Sequence, residues 1–373
     1  MSFFSYISLG ECMKKIILSL LLFLIPSQVL AFGTSASCAI LMDQDSGRIL
    51  YSQNIHTVRS VASISKIMTG LLAVESGKLN DDVVVGDEIL DAYGSAIYIH
   101  VGEKMTLRDL TYGLMLRSGN DAALAIAQHV GGSVERFVEM MNQKAAEIGM
   151  KNTTFYNPHG LDEMYMKGNF STAYDMALLT SYAMKNSNYQ TIVGTKKHIV
   201  KTDENTYVWH NKNKLLNNYK YITGGKTGYT EIARRTLVST ASKDGMNLVV
   251  VTLNDGNDFS DHQNLYEEAF QTYDNYELLT SGPISILNEN YYHDTFYVKN
   301  TVTYPLMENE TGIAMLKFLL EKKTGYKDGE SVGIVEVWLN DQKITEEQIY
   351  IEVNEKKKSV SFFSKILNWI RNL

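Results

Sequence analysis

Residues 61–70 read Val-Ala-Ser-Ile-Ser-Lys-Ile-Met-Thr-Gly, which places Ser63 three residues before Lys66 at the start of an apolar run. Apolar residues at helical spacing continue to Val74, and Gly77 follows where a left-handed C-terminal cap is expected. Residues three apart share one face of a helix, so the two side chains can meet. A lysine amine shielded from water loses its proton more easily and could accept the serine's hydroxyl proton. The stretch predicts the first turn of a buried helix with a nucleophile and its base; a solvated helix face is the alternative.

Composition and charge narrow the class of protein. The chain has 373 residues, of which 45% are hydrophobic and 21% are charged, and this length allows one large core or two smaller ones. The formal net charge is −7. Proteins that bind nucleic acid carry an excess of Lys and Arg to neutralise phosphates, so we expect no nucleic-acid partner.

The first 31 residues have the pattern of an export signal. Lysines at positions 14 and 15 precede the uncharged run 16–25, and Val29-Leu30-Ala31 is a small-residue cleavage pattern. The sequence therefore predicts a signal peptide over residues 1–31 and an exported mature chain that begins near Phe32. A retained membrane anchor is the alternative, although the apolar run is short for a membrane span.

Strands and helices follow in mixed order. Residues 39–51 predict two strands around a turn at Asp45-Ser46-Gly47, which forms a hairpin before the Ser63 helix. Thr106 predicts the cap of a helix that continues to Met115, and helical periodicity returns over 121–130 and 134–148. Ser118-Gly119-Asn120 is therefore predicted to lie in a turn between helices.

A second informative stretch is residues 222–230, Ile-Thr-Gly-Gly-Lys-Thr-Gly-Tyr-Thr. The runs 237–241 and 248–253 behind it predict strands, so Lys226-Thr227-Gly228 lies on or beside a strand. Such an edge offers backbone N–H groups, a hydroxyl and a cation to a peptide that ends in a carboxylate. A phosphate-binding loop is excluded, because no Gly-x-x-x-x-Gly-Lys-[Ser/Thr] pattern opens a helix here.

His159 is a second candidate base. It lies in Asn157-Pro158-His159-Gly160, a stretch with the composition of a turn. A lone loop histidine is more often a hydrogen-bonded structural residue, and Lys66 already supplies a base. We therefore interpret His159 as structural.

The C-terminal third predicts a separate module. Ser281-Gly282-Pro283 has linker composition and follows a helix over 265–273. Beyond it, short β-like runs surround one helix predicted over 313–320; the runs are 295–298, 302–304, 332–339 and 349–353. We expect a catalytic domain over 32–280 and a small β-rich domain over 284–353, which would serve as a spacer or docking module.

The last segment, residues 354–373, predicts a basic amphipathic helix. An apolar stripe from Phe362 to Leu373 follows Lys356-Lys357-Lys358, and the segment has five basic residues against one acidic residue. This pattern is typical of a helix that lies on an anionic membrane surface. A terminal helix docked on its own domain is the alternative.

Three motifs occur in order along the chain, namely Ser63-x-x-Lys66, Ser118-x-Asn120 and Lys226-Thr227-Gly228. With them the sequence resembles the penicillin-binding serine D-alanyl-D-alanine carboxypeptidases of the low-molecular-mass, membrane-associated type. The resemblance covers roughly residues 35–275 and includes 39–43, 62–69, 157–161 and 225–230. It implies an α+β fold with a β-lactamase/transpeptidase-like catalytic domain, in which helices flank an antiparallel sheet and the cleft lies between the sheet and a helical cluster.

The resemblance also implies a reaction. Ser63 would be acylated by the penultimate D-alanine carbonyl, with Lys66 as general base, and water would later release the acyl group. The substrate would be a peptidoglycan stem peptide ending in D-Ala-D-Ala, β-lactams would be inhibitors, and no metal or organic cofactor would be needed. The protein would act at the outer face of the cytoplasmic membrane.

The family's other site residues are expected at matching positions. Ser118 would extend the proton relay, and Asn120 would hold the substrate amide. Lys226 and Thr227 would bind the terminal carboxylate of the peptide, and the oxyanion would lie between the backbone N–H groups of Ser63 and Tyr229. The residues that the 226–229 strand contributes to substrate binding are Lys226, Thr227, Gly228 and Tyr229.

Departures from the family pattern occur at the cleft's edge. Thr223-Gly224 stands where Asp-Gly is frequent, and Arg234 and Arg235 stand where a glycine is more usual. These residues change the charge near the peptide and leave the acylation motifs intact.

Three other functions use or mimic the same motifs. A β-lactamase would need fast deacylation, and we find no Glu-x-x-Leu-Asn between His159 and Lys226. A transpeptidase differs only in the acceptor, which the motifs do not reveal. A non-enzymatic wall or membrane docking protein is less compatible with the sequence, because binding alone would not require all three motifs.

Overall fold

The computed structural model describes residues 33–162, 168–286, 289 and 291–353. The signal peptide predicted over 1–31 and the membrane-surface helix predicted over 354–373 lie outside these residues. The α-helices are α1 (Lys66–Glu75), α2 (Leu107–Tyr112), α3 (Asn120–Gly131), α4 (Val134–Ile148), α5 (Ala173–Ala183), α6 (Ser187–Gly194), α7 (Leu215–Asn218) and α8 (Asp258–Thr272). Shorter helical turns are Ala62–Ser65, Asp87–Asp91, Gly113–Arg117 and Glu308–Ile313.

The strands are numbered in chain order. They are β1 (Cys38–Asp43), β2 (Ile49–Gln53), β3 (Arg59–Ser60), β4 (Asp82–Val84), β5 (Lys104–Thr106), β6 (Phe170–Ser171), β7 (Lys197–Lys201), β8 (Thr206–His210), β9 (Ile222–Thr230), β10 (Arg234–Lys243), β11 (Met246–Leu253), β12 (Asp274–Leu279), β13 (Gly282–Ile284), β14 (Thr295–Val298), β15 (Val302–Leu306), β16 (Ala314–Leu320), β17 (Ser331–Leu339) and β18 (Gln342–Glu352).

A five-stranded antiparallel sheet forms the centre of the N-terminal part, in the order β2-β1-β11-β10-β9. Helix α8 packs against β10 and β11, while α5 packs against β1 and β11. Strand β1 is buried along its whole length, since it pairs with β2 and β11 and is covered by α5. The motif strand β9 is the outer strand of this sheet, and its burial is mixed along its length.

Helices α1 and α3 form the middle of a helical cluster beside the sheet. Nine of the ten residues of α1 are buried, from Lys66 to Val74. Helix α3 has few large side chains, and all of its residues from Asn120 to Ala127 are buried. Small residues such as Ala122 and Ala123 let neighbouring helices approach closely, so α3 can carry a polar residue at its start into the interior.

Several predicted elements are confirmed. The hairpin is formed by β1 and β2, the side chain of Thr106 accepts the N–H of Asp109 at the start of α2, and Gly77 has a left-handed φ of 74° beyond α1. Ser118 has a left-handed φ of 66° in the turn that joins two helical segments. The α+β fold with helices around an antiparallel sheet is as expected.

The helix predicted over 313–320 is wrong. Residues Ala314–Leu320 form strand β16, which pairs with β17 from Ala314↔Leu339 to Leu320↔Gly333. An apolar run of this length is compatible with either a strand or a buried helix. Backbone pairing with β17 stabilises the strand.

The C-terminal part is rich in strands, with a five-stranded sheet in the order β13-β14-β18-β17-β16 and a separate β12–β15 pair. Its buried side chains, including Val335 and Ile349, form a hydrophobic cluster distinct from the large N-terminal one. Arg48, in the β1–β2 hairpin, reaches this part: it forms a 2.6 Å ion pair with Glu310 and lies between the rings of Tyr273 and Tyr304. Among the described residues, no helix combines the length and apolar character that crossing a membrane requires.

Candidate active site

Ser63 lies in the helical turn Ala62–Ser65, directly before α1. Ala62 has a left-handed φ of 50°, which produces a sharp bend in the chain immediately before the serine. Ser63 is partly exposed, while Lys66 is fully buried. The Lys66 Nζ atom lies 3.1 Å from the Ser63 Oγ atom, so the structure brings the predicted nucleophile and base within hydrogen-bond distance.

The surroundings of Lys66 favour its uncharged form. Burial is the main cause that lowers the pKa of Lys66 well below its ordinary value, and the positive charges of Lys226 and Lys212 lower it further. The carboxylate of Asp121 acts in the opposite direction. Nζ donates to Asn120 Oδ1 at 2.7 Å and to the carbonyl oxygen of His159 at 2.6 Å.

Ser118 lies in the turn before α3, and Asn120 is the first residue of that helix. Both are buried, and Ser118 also lines the cleft beside Ser63. The amide of Asn120 is used at both ends, because Oδ1 accepts from Lys66 and Nδ2 donates to the carbonyl of Tyr93 at 2.5 Å. Asn120 thus lies under the cleft, in contact with the base.

Strand β9 forms the opposite wall of the cleft. A Cβ atom on Gly228 would lie 2.4 Å from Thr236 Oγ1 and 3.0 Å from the backbone nitrogen of Ser63. Glycine is therefore required for the close approach of this strand to the nucleophile. Thr227, Gly228 and Tyr229 line the cleft.

Lys226 lies beneath this wall. Its side chain is buried, and Nζ donates to the carbonyl of Thr227 at 2.6 Å. Burial, assisted by the charge of Lys212, lowers the pKa of Lys226 to about 7. A carboxylate bound nearby would favour the charged form of this amine.

The cleft has a volume of about 440 Å³ and is mostly cationic at its rim. Lys212, Lys214 and Arg235 line it, while Asp258 is the one acidic lining residue in the described part of the chain and is paired with Arg235. The Arg235 guanidinium donates to Asp258 through both Nε and one terminal nitrogen. This arrangement holds Arg235 at the cleft's edge, where a negatively charged ligand end would be attracted.

Sequence reasoning missed three contributors to the site. Lys212 donates to Ser95 Oγ at 3.2 Å across the cleft, and its only sequence signal is the basic pair 212 and 214 before β9. The carbonyl groups of Tyr93 and His159 are main-chain atoms, so no side-chain motif predicts them.

The ring of His159 is buried and its Nδ1 accepts the N–H of Leu161, as expected for a structural residue. Burial lowers the pKa of this ring to about 3.

One group of metal-binding residue types occurs among the described residues. His100, Glu103 and Glu204 place their ligand atoms within 4.8 Å of one another. The buried carboxylate of Glu103 already accepts bonds from Thr202 and Tyr207. These three residues do not line the cleft.

Comparisons with known proteins agree with this geometry. A family model described as D-alanyl-D-alanine carboxypeptidase matches residues 27–257. D-alanyl-D-alanine carboxypeptidase DacF of Bacillus subtilis is 32% identical over 334 residues, which cover 79% of this chain and 82% of that protein.

Solved structures give the same result. Penicillin binding protein 5 of Haemophilus influenzae has a TM-score of 0.72 at 25% identity, with 86% of this chain and 98% of that chain covered. The DD-transpeptidase of Streptomyces K15, solved as a mutant, has a TM-score of 0.60 at 32% identity, with 64% and 99% covered. On the fold, the motif geometry and these matches, the chain belongs to the D-alanyl-D-alanine carboxypeptidase family.

Proposed function

We propose that this serine-type D-Ala-D-Ala carboxypeptidase removes the terminal D-alanine of peptidoglycan stem peptides through an acyl-enzyme on Ser63. The observation that carries this assignment of the nucleophile is the 3.1 Å contact between Ser63 Oγ and a buried lysine amine whose pKa is strongly lowered. An uncharged amine at that distance can accept the hydroxyl proton as the oxygen attacks the penultimate carbonyl. The proton then passes to the nitrogen of the departing D-alanine.

The remaining motif residues have distinct roles in this proposal. Ser118 carries the proton between the base and the leaving nitrogen, because its side chain lies at the cleft beside Ser63. Asn120 positions Lys66 through Oδ1 and holds the substrate amide through the second N–H of Nδ2, since the first donates to the carbonyl of Tyr93. The oxyanion is stabilised between the backbone N–H groups of Ser63 and Tyr229, where Gly228 leaves room for the approach.

The terminal carboxylate binds on the cationic side of the cleft. Thr227 offers a hydroxyl. A bound anion beside Lys226 would raise the lowered pKa of this lysine and favour its charged form. Arg235 adds a guanidinium held in place by Asp258. A β-lactam carboxylate would occupy the same positions, so we expect β-lactams to acylate Ser63 and inhibit the enzyme.

The acceptor of the acyl group is the second question. The similarity to a DD-transpeptidase of Streptomyces K15 keeps transfer to an amine as the second candidate function. Hydrolysis is favoured by the names of the curated relatives, while a β-lactamase role lacks its deacylating glutamate motif. Release of free D-alanine without an added amine separates hydrolysis from transfer.

The test begins with labelling by a fluorescent penicillin. We expect the intact protein to form a long-lived adduct, the Ser63→Ala variant to form none, and the intact protein to release D-alanine from a D-Ala-D-Ala peptide. Absence of labelling in the intact folded protein would contradict the acylation proposal. Rapid turnover of the penicillin would instead indicate a β-lactamase.

We also propose that the protein acts outside the cytoplasm, with a signal peptide over 1–31, a catalytic domain over 32–280, a β-rich spacer over 284–353 and a membrane-surface helix over 354–373. The support is the charge and apolar pattern of the two ends of the sequence. In vesicle sedimentation, the chain should bind vesicles that contain anionic lipid, and a chain ending at residue 353 should not. Equal binding by the two chains would contradict the role of the tail.

A further inference from the structure

Among the described residues, three oxygen atoms lie within hydrogen-bond distance of the Lys66 amine. The carbonyl of His159 lies 2.6 Å from Nζ, Asn120 Oδ1 lies at 2.7 Å and Ser63 Oγ lies at 3.1 Å. The first two oxygens belong to a peptide and a carboxamide, so they can only accept hydrogen bonds. The hydroxyl of Ser63 can both donate and accept.

The Asn120 oxygen is held in its orientation. An asparagine amide can turn over and present its nitrogen in place of its oxygen. Here Nδ2 donates to the carbonyl of Tyr93 at 2.5 Å, and that contact fixes Oδ1 toward Lys66. The amide of Asn120 can therefore only accept from the amine.

The His159 carbonyl is held by its own turn. Asn157 Oδ1 accepts the N–H groups of His159 at 3.2 Å and Gly160 at 2.5 Å. Thr69, one turn along α1 from Lys66, donates to the carbonyl of Pro158 at 2.6 Å. A Cβ on Gly160 would lie 2.0 Å from the carbonyl of Ala62, so the turn packs directly against the chain that carries Ser63.

An uncharged lysine amine has two N–H bonds and one lone pair. The two shorter contacts use both N–H bonds, which leaves the lone pair for the third and longest contact. We propose that the Asn157–Gly160 turn is a positioning device, in which the His159 carbonyl acts with Asn120 to stop rotation of the Lys66 amine and aim its lone pair at the Ser63 hydroxyl. The inference rests on the proposed roles of Ser63 and Lys66.

The proton balance follows from this arrangement. As the Ser63 oxygen bonds to the substrate carbonyl carbon, its proton moves to Nζ, and the new ammonium has one N–H for each of the three oxygens. When the peptide C–N bond breaks, the proton leaves for the nitrogen of D-alanine. Acylation needs no further reactant, and the amine returns to its starting form.

The charged groups that shift the pKa of Lys66 lie outside the Asn157–Gly160 turn. Lys226 on β9 and Lys212 before it repel the ammonium form, and Asp121 on α3 favours it. The His159 ring itself is uncharged near neutral pH, because burial lowers its pKa to about 3. A change in the turn therefore alters hydrogen bonding to Lys66 without changing the charges that face it.

The test compares two asparagines on neighbouring segments. Asn157→Ala loosens the turn that holds the His159 carbonyl. The matched control is Asn142→Ala, since Asn142 likewise braces a loop with Nδ2 bonds to Val138 and Phe155 carbonyls and an Oδ1 bond from the Phe155 N–H. For each variant, the rate of acylation by a fluorescent penicillin is measured from pH 5 to pH 10, with circular dichroism as a check on folding.

Two changes are expected in Asn157→Ala. The plateau rate falls by about threefold or more, because a freed amine divides its lone pair among three staggered positions. The acidic limb of the profile also moves to lower pH, because a lost acceptor no longer stabilises the ammonium. Asn142→Ala should show neither change, and the Ser63→Ala variant separates failure of the proposed nucleophile from failure of this inference.

A plateau that falls without movement of the acidic limb, or a profile like that of Asn142→Ala, would overturn the inference. If Asn157→Ala does not fold, Gly160→Ala displaces the same carbonyl, and the same two changes are expected. Neutron diffraction from crystals of the unmodified protein provides a test that needs no variant. It should show two deuterons on Nζ directed at the His159 and Asn120 oxygens, and a deuteron on Nζ directed at Ser63 in the resting enzyme would contradict the proposal.

Discussion

At the scale of single residues, Lys212 influences the protonation of the two buried lysines. Its charge lowers the pKa of both Lys66 and Lys226. In Lys212→Gln this repulsion is lost, so both pKa values rise and less free amine is present at neutral pH. The acidic limb of the acylation profile should then move to higher pH, by about half a unit to one unit. Lys212→Arg keeps the charge and should keep the limb in place, and a limb that moves equally in both variants would contradict this role.

The two adjacent arginines should differ in their effect on substrate. Arg235 lines the cleft, whereas Arg234 is exposed and pairs with Glu231 at 3.1 Å. For release of D-alanine from a peptide, Arg235→Gln should raise KM about tenfold, because a carboxylate contact of about 1.4 kcal/mol is lost. Arg234→Gln should leave KM unchanged. Equal increases in KM for the two substitutions would show that the net positive charge near the cleft affects binding, and that Arg235 makes no specific contact with the substrate.

At the scale of elements, the approach of β9 to the Ser63 turn sets the width of the site. In Gly228→Ala the new Cβ would meet Thr236 and the backbone of Ser63, so either the strand or the turn has to move. A displacement of about 1 Å is enough to reduce a reaction by about 100-fold. We expect a loss of that size in penicillin labelling with the fold retained. Gly256→Ala, where nothing lies within 4 Å of the new Cβ, should be labelled normally.

The elements also show how far the sequence can be interpreted. The Ser63 helix and the β1–β2 hairpin were predictable, because period, cap and turn residues agree within one short segment. The strand Ala314–Leu320 was not, since an isolated apolar run takes its structure from its partner β17. The contact between Lys66 and the His159 carbonyl joins residues 93 positions apart through a main-chain atom, and no side-chain pattern encodes such a contact.

At the scale of the whole molecule, two buried histidines make stability depend on pH. Burial lowers the pKa of both His159 and His262 to about 3, against about 6.5 in an unfolded chain. The unfolded state therefore binds more protons between these values, and the free energy of unfolding falls as the pH drops below about 6.5. Each histidine contributes a slope of up to about 1.4 kcal/mol per pH unit.

Urea unfolding at pH 7, 6 and 5 measures this loss. His262 is hydrogen-bonded to the hydroxyls of Ser239 and Thr252, neither of which lines the cleft, so His262→Gln tests the buried ring away from the active site. The slope between pH 6 and pH 5 should fall by up to about 1.4 kcal/mol per pH unit in this variant. An unchanged slope would contradict the contribution of His262.

The buried lysine pair has a thermodynamic consequence for the folded protein. In the unfolded chain Lys66 and Lys226 are ammonium ions at neutral pH, whereas burial lowers the pKa of both in the native state. At neutral pH the unfolded lysines favour keeping protons that folding tends to remove. The buried amines therefore lower the stability of the native state, and the benefit is a reactive amine at Lys66. An isosteric Lys66→Met chain should be inactive and yet more resistant to urea at pH 7. This advantage should shrink as the pH rises toward 10, where the unfolded lysine also releases its proton.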